Sequence, residues 1–122
     1  MSLKVFEYKN CSTCKKALKF LDANKIAYTT VPIVEEPPSI SDLKKMLGYI
    51  KKQGGSIKNL FNTSGVQYRE LKIADKLKSG LSDEEALQLL SKNGKLIKRP
   101  FALTKTTGVV GFKEEVWKAN LV

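Results

Sequence analysis

The spacing of apolar residues predicts two strands separated by a helix at the start of the chain. Residues 3–8 alternate apolar and polar side chains and predict a first strand, and residues 26–31 predict a second. The segment between them loses its helical pattern near Asn24. Its apolar positions recur at intervals of three and four, as on one face of an amphipathic helix: Cys14, Ala17, Leu18 and Leu21. This order predicts a β-α-β unit.

The middle of the chain has the signals of helices. Ser39 and Ser82 are each followed three residues later by an acidic residue, which is the spacing of a capping box, so each serine predicts the start of a helix. We therefore predict a helical insertion over about residues 39–93, within a single domain of residues 1–122.

The pattern returns to strands near the end of the chain. Residues 96–97, 101–103 and 109–110 predict three short strands, of which the last two form a hairpin. A closing helix carries Val116 and Trp117. The whole order, β-α-β, then helices, then β-β-α, predicts an α/β fold with a thioredoxin-like mixed sheet and an inserted helical subdomain.

Length and composition fit one domain that needs no disulfide bonds, because 122 residues with 42% hydrophobic content bury a sizeable core. No apolar run approaches the roughly 18 residues of a membrane span. The first residues lack the basic and then apolar pattern of a signal peptide. We therefore predict a cytoplasmic protein with no membrane association, in a compartment where structural disulfides are rare.

The charge of the chain is strongly positive, at +10, from 22 basic and 12 acidic residues with no histidine. Such a charge favours an anionic substrate, nucleic acid or an acidic protein patch as a partner. Only Arg69 and Arg99 are arginines, however, and the remaining basic residues are scattered lysines, as on a solvated surface. Base readout favours arginine, so we predict no direct sequence-specific DNA binding.

The segment "NCSTCK", residues 10–15, contains both cysteines of the chain. Cys11 falls where the first strand turns into the helix, and the free N–H groups and dipole of a helix start favour a thiolate there. Cys14 follows one helical turn later, within reach of an adduct on Cys11, as a resolving thiol does. The pair therefore predicts redox chemistry.

Two other interpretations compete with a redox pair. A zinc site needs about four Cys or His ligands, and two cysteines without histidine leave the rest to carboxylates or a second subunit, so we predict no metal site. Two buried structural thiols remain an alternative, because Cys14 lies on the apolar face of the helix. Cys11 lies in a polar turn after a strand, which is a functional location rather than a core one.

A second motif, Lys98-Arg99-Pro100, enters the strand predicted at residues 101–103. Proline is permitted at the start of a strand, and an X-Pro bond there is a candidate for the cis form. Pro100 is therefore a structural cis-Pro candidate, and an ordinary trans proline beside a surface arginine is the alternative.

Four features together resemble the arsenate reductase and Spx family of thioredoxin-fold proteins. They are the early C-x-x-C, the Glu-Glu-Pro-Pro-Ser turn at 35–39, "LFNTSGVQYREL" at 60–71, and the "KRP" before a late strand. The resemblance covers nearly the whole chain. It implies a thioredoxin-like sheet, an inserted helical subdomain, and Arg99 with a cis Pro100 facing Cys11.

The arsenate reductase branch implies a cysteine nucleophile and three arginines that bind the oxyanion. Cys11 matches the nucleophile and Arg99 matches one arginine, whereas the other two positions fall at about Asn62 and Gly111. For a thiol-disulfide enzyme of this family we predict Cys11, Cys14 and Arg99 as catalytic residues, with Arg99 and Asn10 binding the substrate. No cofactor is bound, and glutathione with glutaredoxin, or thioredoxin, is the implied electron donor.

The Spx branch implies a redox-sensing regulator in which Cys11 and Cys14 form a disulfide and the protein binds the C-terminal domain of the RNA polymerase α subunit. The stretch nearest to the acidic partner-binding segment of these regulators, residues 49–58, is basic here. We therefore predict a cytosolic thiol-disulfide oxidoreductase that depends on a cellular thiol system. A Spx-like regulator is the alternative, and a third interpretation keeps both cysteines reduced and inert.

Overall fold

The computed structural model describes residues 3–122, in which a four-stranded mixed sheet organises the chain. Its strands are β1 (Lys4–Glu7), β2 (Thr29–Pro32), β3 (Phe101–Leu103) and β4 (Gly108–Val110). Their order across the sheet is β2-β1-β3-β4. β1 pairs in parallel with β2 and antiparallel with β3, and β3 pairs antiparallel with β4. The predicted α/β class with a mixed sheet and a closing hairpin is confirmed.

Six α-helices surround this sheet within residues 3–122, and four of them come between β2 and β3 in the chain. They are α1 (Ser12–Ala23), α2 (Ile40–Lys52), α3 (Val66–Glu70), α4 (Ile73–Lys78), α5 (Asp83–Lys92) and α6 (Glu114–Leu121). Two 3₁₀ helices, Ile57–Leu60 and Gly94–Leu96, complete the central segment. In the described part of the chain, no helix has the length and apolar content to cross a membrane.

The two faces of the sheet bury separate apolar clusters. Successive strand residues point to opposite faces, so Val5 and Ala102 lie in one cluster and Phe6 and Phe101 in the other. The first cluster includes Trp117 of α6, and the second is shared with helices α2 and α5. The rings of Phe6 and Phe101 meet edge to face, with centroids 5.5 Å apart. β1 and β3 are therefore held from both sides, and their ends are firmly placed.

The two predicted capping boxes lie at helix starts. The Ser39 hydroxyl accepts a hydrogen bond from the backbone N–H of Asp42 at 3.1 Å, and α2 begins at Ile40, directly after Ser39. The Ser82 hydroxyl accepts from the backbone N–H of Glu85 at 3.2 Å and donates to the Glu85 carboxylate at 2.9 Å. Each hydroxyl satisfies an N–H that has no partner within its own helix, so these helix starts are encoded locally.

The strand predicted over residues 96–97 is wrong. Gly94–Leu96 forms a 3₁₀ helix, and Ile97 makes only an isolated bridge with Phe61. The Asn93 side chain accepts a hydrogen bond from the backbone N–H of Lys95 at 3.1 Å and holds the turn. Both predicted residues are buried, so burial alone explains the apolar pair, and two residues are too few to reveal a period.

The second strand begins at Thr29 rather than at residue 26. The backbone N–H of Ile26 donates to the carbonyl of Leu21 at 2.9 Å, so Ile26 is held in the turn that closes the end of α1. Lys25, just before it, has a φ of 56°, in the left-handed conformation that commonly follows a helix. The apolar Ile26 therefore packs as part of the helix end instead of extending the strand.

Two glycines should respond oppositely to alanine. A Cβ at Gly94 would collide with the backbone carbonyl of Ile33 and crowd Val34, so we expect Gly94→Ala to lower the free energy of unfolding by about 1–3 kcal/mol. Gly48 is exposed within α2 with open space around it, so Gly48→Ala should raise the free energy of unfolding by about 0.5–1 kcal/mol. Urea unfolding measures both variants, and equal stability of the two would contradict the packing described.

Candidate functional site

Three segments that are distant in the chain meet at one end of the sheet. Cys11 follows the C-terminal end of β1, and Arg99 precedes the N-terminal end of β3. The strand register pairs Phe101, the first residue of β3, with Phe6 of β1 and with Val110 of β4. Antiparallel pairing therefore places the residues after β1, before β3 and after β4 side by side.

Cys11 is the N-cap residue of α1. Its backbone N–H donates to the carbonyl of Tyr8 at 3.1 Å, which closes the turn between β1 and the helix. Its φ of −90° and ψ of 111° are extended, and its Sγ accepts a hydrogen bond from the backbone N–H of Cys14 at 3.2 Å. The sulfur thus takes the place of a capping oxygen, where N–H groups and the helix dipole favour negative charge.

Cys14 has a different environment from Cys11, and both are free thiols. The Cys14 side chain is only 1% exposed, whereas Cys11 is half-buried. Burial, and then the hydrogen bond to Cys11, raise the pKa of Cys14 from 9.0 to about 12. A raised thiol pKa means that Cys14 stays protonated at neutral pH, and Cys11 is the more accessible of the two sulfurs.

Arg99 precedes a cis peptide bond to Pro100 and lies half-buried beside Tyr8. Its guanidinium carbon is 4.5 Å from the centroid of the Tyr8 ring, which is cation–π distance. Neither of the two ion pairs found among residues 3–122 involves Arg99. Its charge is therefore oriented by an aromatic face and not neutralised by a carboxylate.

Cys11 and Arg99 line one cavity of about 320 Å³. Lys98 and Lys113 also line it, so three cationic side chains share this cavity with the Cys11 sulfur. No acidic residue is among the described residues of its wall. Low-dielectric walls strengthen the attraction of such a group of charges for an anion. The cavity is therefore suited to a small anion or to an anionic substrate at Cys11.

The two positions that the family resemblance aligned with arginines, Asn62 and Gly111, line this same cavity. Gly111 has a φ of 67°, and a Cβ there would lie 2.7 Å from Cε of Lys98. The Lys98 side chain therefore crosses the space that a side chain at position 111 would enter. A lysine supplies the positive charge at the corner where the family pattern has an arginine.

Sequence reasoning missed Lys98 and Lys113 as lining residues. Lys98 stands next to Arg99 in the "KRP" motif, which was a usable signal, whereas nothing in the sequence singled out Lys113. Asn10, a predicted substrate-binding residue, is exposed in the turn before Cys11 and does not line the cavity. In the described residues, no three Cys, Asp or Glu side chains are grouped as a metal site would need.

A half-buried cysteine at a helix start, beside an Arg-cis-Pro segment on a mixed sheet, defines a protein of the thioredoxin-like class. Comparison with known proteins agrees, because the model of the ArsC family matches residues 6–120. The chain belongs to the ArsC family. The resemblance to the arsenate reductase and Spx family and the predicted thioredoxin-like fold are confirmed.

Individual relatives include an uncharacterized protein, a possible arsenate reductase and a Spx regulator. YusI of Bacillus subtilis (strain 168), an uncharacterized protein, is 41% identical over 120 residues, covering 98% of each chain. A solved structure from Streptococcus mutans UA159, described as a possible arsenate reductase, is 37% identical with a TM-score of 0.81, covering 95% of this chain and 97% of its own. The global transcriptional regulator Spx of Streptococcus mutans is 27% identical, covering 92% of this chain and 77% of Spx. The chain is a thiol oxidoreductase-like protein.

The unequal environments of the cysteines predict ordered alkylation. At pH 7, iodoacetamide should add one group to the folded protein, at Cys11, because Cys14 is buried and its pKa of about 12 keeps it a thiol. A second group should appear only on unfolding or as the pH approaches 12. Mass spectrometry of peptides counts the adducts, and equal modification of both cysteines at pH 7 would contradict the assignment.

Proposed function

We propose that the protein is a cytoplasmic thiol-disulfide oxidoreductase in which Cys11 is the nucleophile and Cys14 the resolving thiol. The observation that carries the proposal is the Cys11 sulfur at the start of α1, in a cavity with Arg99, Lys98 and Lys113. Positive charge lowers the energy of a thiolate and attracts an anionic oxidised substrate to it. The ArsC family membership supports the same chemistry.

The reaction proceeds in two exchanges. The Cys11 thiolate attacks one sulfur of a substrate disulfide, a bond forms between the two sulfurs, and the other substrate sulfur leaves as a thiolate. Cys14 then transfers its proton to a leaving thiolate or water and attacks the Cys11 sulfur. The Cys11–Cys14 disulfide forms, the second substrate thiol leaves, and two electrons have passed to the substrate.

The raised pKa of Cys14 fits this order of events. Part of the increase comes from the hydrogen bond and negative charge of Cys11, and both are lost once Cys11 is bonded to the substrate. Burial still opposes the Cys14 thiolate after the first step. Because the contribution of Cys11 is gone, however, Cys14 loses its proton more easily after that step than before it. A cellular thiol, either two glutathione molecules with glutaredoxin or the dithiol of thioredoxin, then reduces the protein disulfide.

Arsenate reduction is the specific activity that similar proteins suggest. The cavity would present one arginine and two lysines to the oxyanion, in place of the three arginines of the dedicated enzymes. Lysines attract the charge but lack the paired N–H geometry of guanidinium groups. We expect the rate of disulfide reduction to exceed the rate of arsenate reduction. Parallel assays of both substrates, with glutathione and glutaredoxin or with thioredoxin as the electron donor, measure the two rates.

Serine variants test the two thiols separately. Cys11→Ser should reduce disulfide turnover to the uncatalysed background, because the nucleophile is lost. Cys14→Ser should still attack but should accumulate a mixed disulfide on Cys11, visible as a mass increase equal to the substrate half. Full turnover by Cys11→Ser would overturn the proposed function, and loss of folding is checked by the urea midpoint of each variant.

The two arginines of the chain form a matched pair for testing the anion site. Arg99→Gln should slow the attack of Cys11 on the dianionic dithiobis(nitrobenzoate) by about three- to tenfold, because a half-buried cation is worth roughly 0.7–1.4 kcal/mol here. Arg69, exposed at the end of α3, should tolerate Arg69→Gln with no change. Stopped-flow absorbance gives the rates, and a smaller loss with neutral dithiodipyridine is expected.

A Spx-like regulator is the second candidate function, favoured by the similarity to Spx over 92% of this chain. In that case the Cys11–Cys14 disulfide would change affinity for the C-terminal domain of the RNA polymerase α subunit. A pull-down with reduced and oxidised protein tests it. Redox-dependent capture that Cys11→Ser abolishes would support this function, and no capture in either state would exclude it.

A further inference from the structure

A second cavity, of about 440 Å³, adjoins the one that contains Cys11. The two cavities share Lys98, Val110 and Lys113 in their walls, so they lie side by side. Ser56, in the turn after α2, and Lys58, in the 3₁₀ helix Ile57–Leu60 that follows, contribute to the far wall. We call this second cavity the lysine groove, defined by Lys58, Lys98 and Lys113. Its size is within the roughly 300–1,000 Å³ of ordinary ligand sites.

The lysine groove carries positive charge only. Its three lysines are exposed, none belongs to the two ion pairs found among residues 3–122, and no acidic residue is in the described part of its wall. Elsewhere the chain does pair lysines with acidic partners, as at Lys51 and Asp83. The groove is therefore a place where the net charge of the chain is left for a partner to neutralise.

The far wall of the groove is built in a fixed shape. The Asn59 side chain accepts a hydrogen bond from the backbone N–H of Ser56 at 2.8 Å. Gly55 is packed so closely that a Cβ would lie 2.7 Å from Ile50 and 2.8 Å from Asn59. The Gln53 amide is held as well, because it donates to the carbonyl of Gly108 at 2.8 Å. A preformed wall loses little entropy when a ligand binds.

We propose that the lysine groove binds an acidic peptide segment beside the disulfide cysteine of a protein substrate. This inference rests on the proposed function, since the groove shares wall residues with the cavity of Cys11 and a polypeptide bound there would hold its disulfide near the nucleophile. Carboxylates suit lysines, whose ammonium groups act as point charges and do not require paired geometry. Nucleic acid would supply negative charge but no disulfide for Cys11.

The chemistry of the step is the exchange described above. The Cys11 thiolate forms a bond with the peptide sulfur while the old S–S bond breaks, and the partner sulfur leaves as a thiolate. Cys14 then attacks Cys11, gives up its proton, and releases the acidic peptide as a thiol. The groove acts before these steps by raising the local concentration of substrates with acidic residues.

Two synthetic peptides test the proposal. One has three aspartates after its cysteine, the other has asparagines there, and each is activated as a mixed disulfide with thionitrobenzoate, whose release is followed by absorbance. Wild-type protein should react faster with the acidic peptide, and added salt should reduce the difference. Lys58→Gln should lower the ratio of the two rates by about two- to fivefold, as for loss of one exposed ion pair.

Lys118→Gln is the matched control, because Lys118 is an exposed lysine of α6 that lines neither cavity. It removes the same charge from the chain and should leave the ratio unchanged. An acidic peptide with serine in place of cysteine should compete with the acidic substrate in wild type more than in Lys58→Gln.

The outcomes separate this inference from the proposed function. If both peptides react at equal rates, or Lys58→Gln and Lys118→Gln change the ratio equally, the groove proposal is overturned and the oxidoreductase proposal stands. If neither peptide reacts, both are overturned. If a single-stranded oligonucleotide binds in a Lys58-dependent way while the peptide ratio is one, the groove is an anion site for nucleic acid and the peptide proposal is wrong.

Discussion

The antiparallel pairing of β1 with β3 is the constraint on which the site depends. Cys11 and Arg99 are separated by most of the chain, and they meet because Phe6 lies opposite Phe101 in the register. Both phenylalanines are buried and their rings contact edge to face, so a shift in register would expose them. The apolar contact that stabilises the sheet thus also fixes the positions of Cys11 and Arg99 relative to each other.

The two cysteines have different environments within one helical turn. Cys11 replaces an oxygen as the helix cap and lies half-buried, whereas Cys14 faces the core one turn later. The reason is that Cys11 caps the helix from outside in an extended conformation, whereas Cys14 lies within α1 on its buried face. The interpretation of Cys14 as a core thiol is thus compatible with a redox role, since burial keeps Cys14 protonated and out of contact with solvent.

The charge of the site is arranged differently from a three-arginine clamp. The Lys98 side chain lies beside Gly111, and Lys113 lies two residues further along the chain, just before α6. Both lysines line the cavity, and neither provides the paired N–H groups of a guanidinium. Such a site attracts anions without strict demands on their shape. The adjoining lysine groove shares Lys98 and Lys113 with this cavity and adds Lys58 to the same positive charge.

Much of the fold and part of the site could be predicted from the sequence, because their causes are local. The serine caps of α2 and α5, the apolar stripe of α1 and the closing hairpin each depend on residues a few positions apart. The helix start at Cys11 belongs to this group. The apolar pair at residues 96–97 misled because burial without a period does not distinguish a strand from a turn.

Only the tertiary structure decided which residues accompany "NCSTCK". Asn10 is adjacent to Cys11 in the sequence yet lies outside the cavity, whereas Lys113 is distant in the sequence and lies within its wall. The positions of Lys98 and Lys113 follow from strand pairing and from the space left by Gly111, neither of which has a local signature. The sequence by itself determined the position of Cys11 at the start of its helix, because capping is a short-range effect. The charge around Cys11 depended on long-range pairing, so only the folded chain decided it.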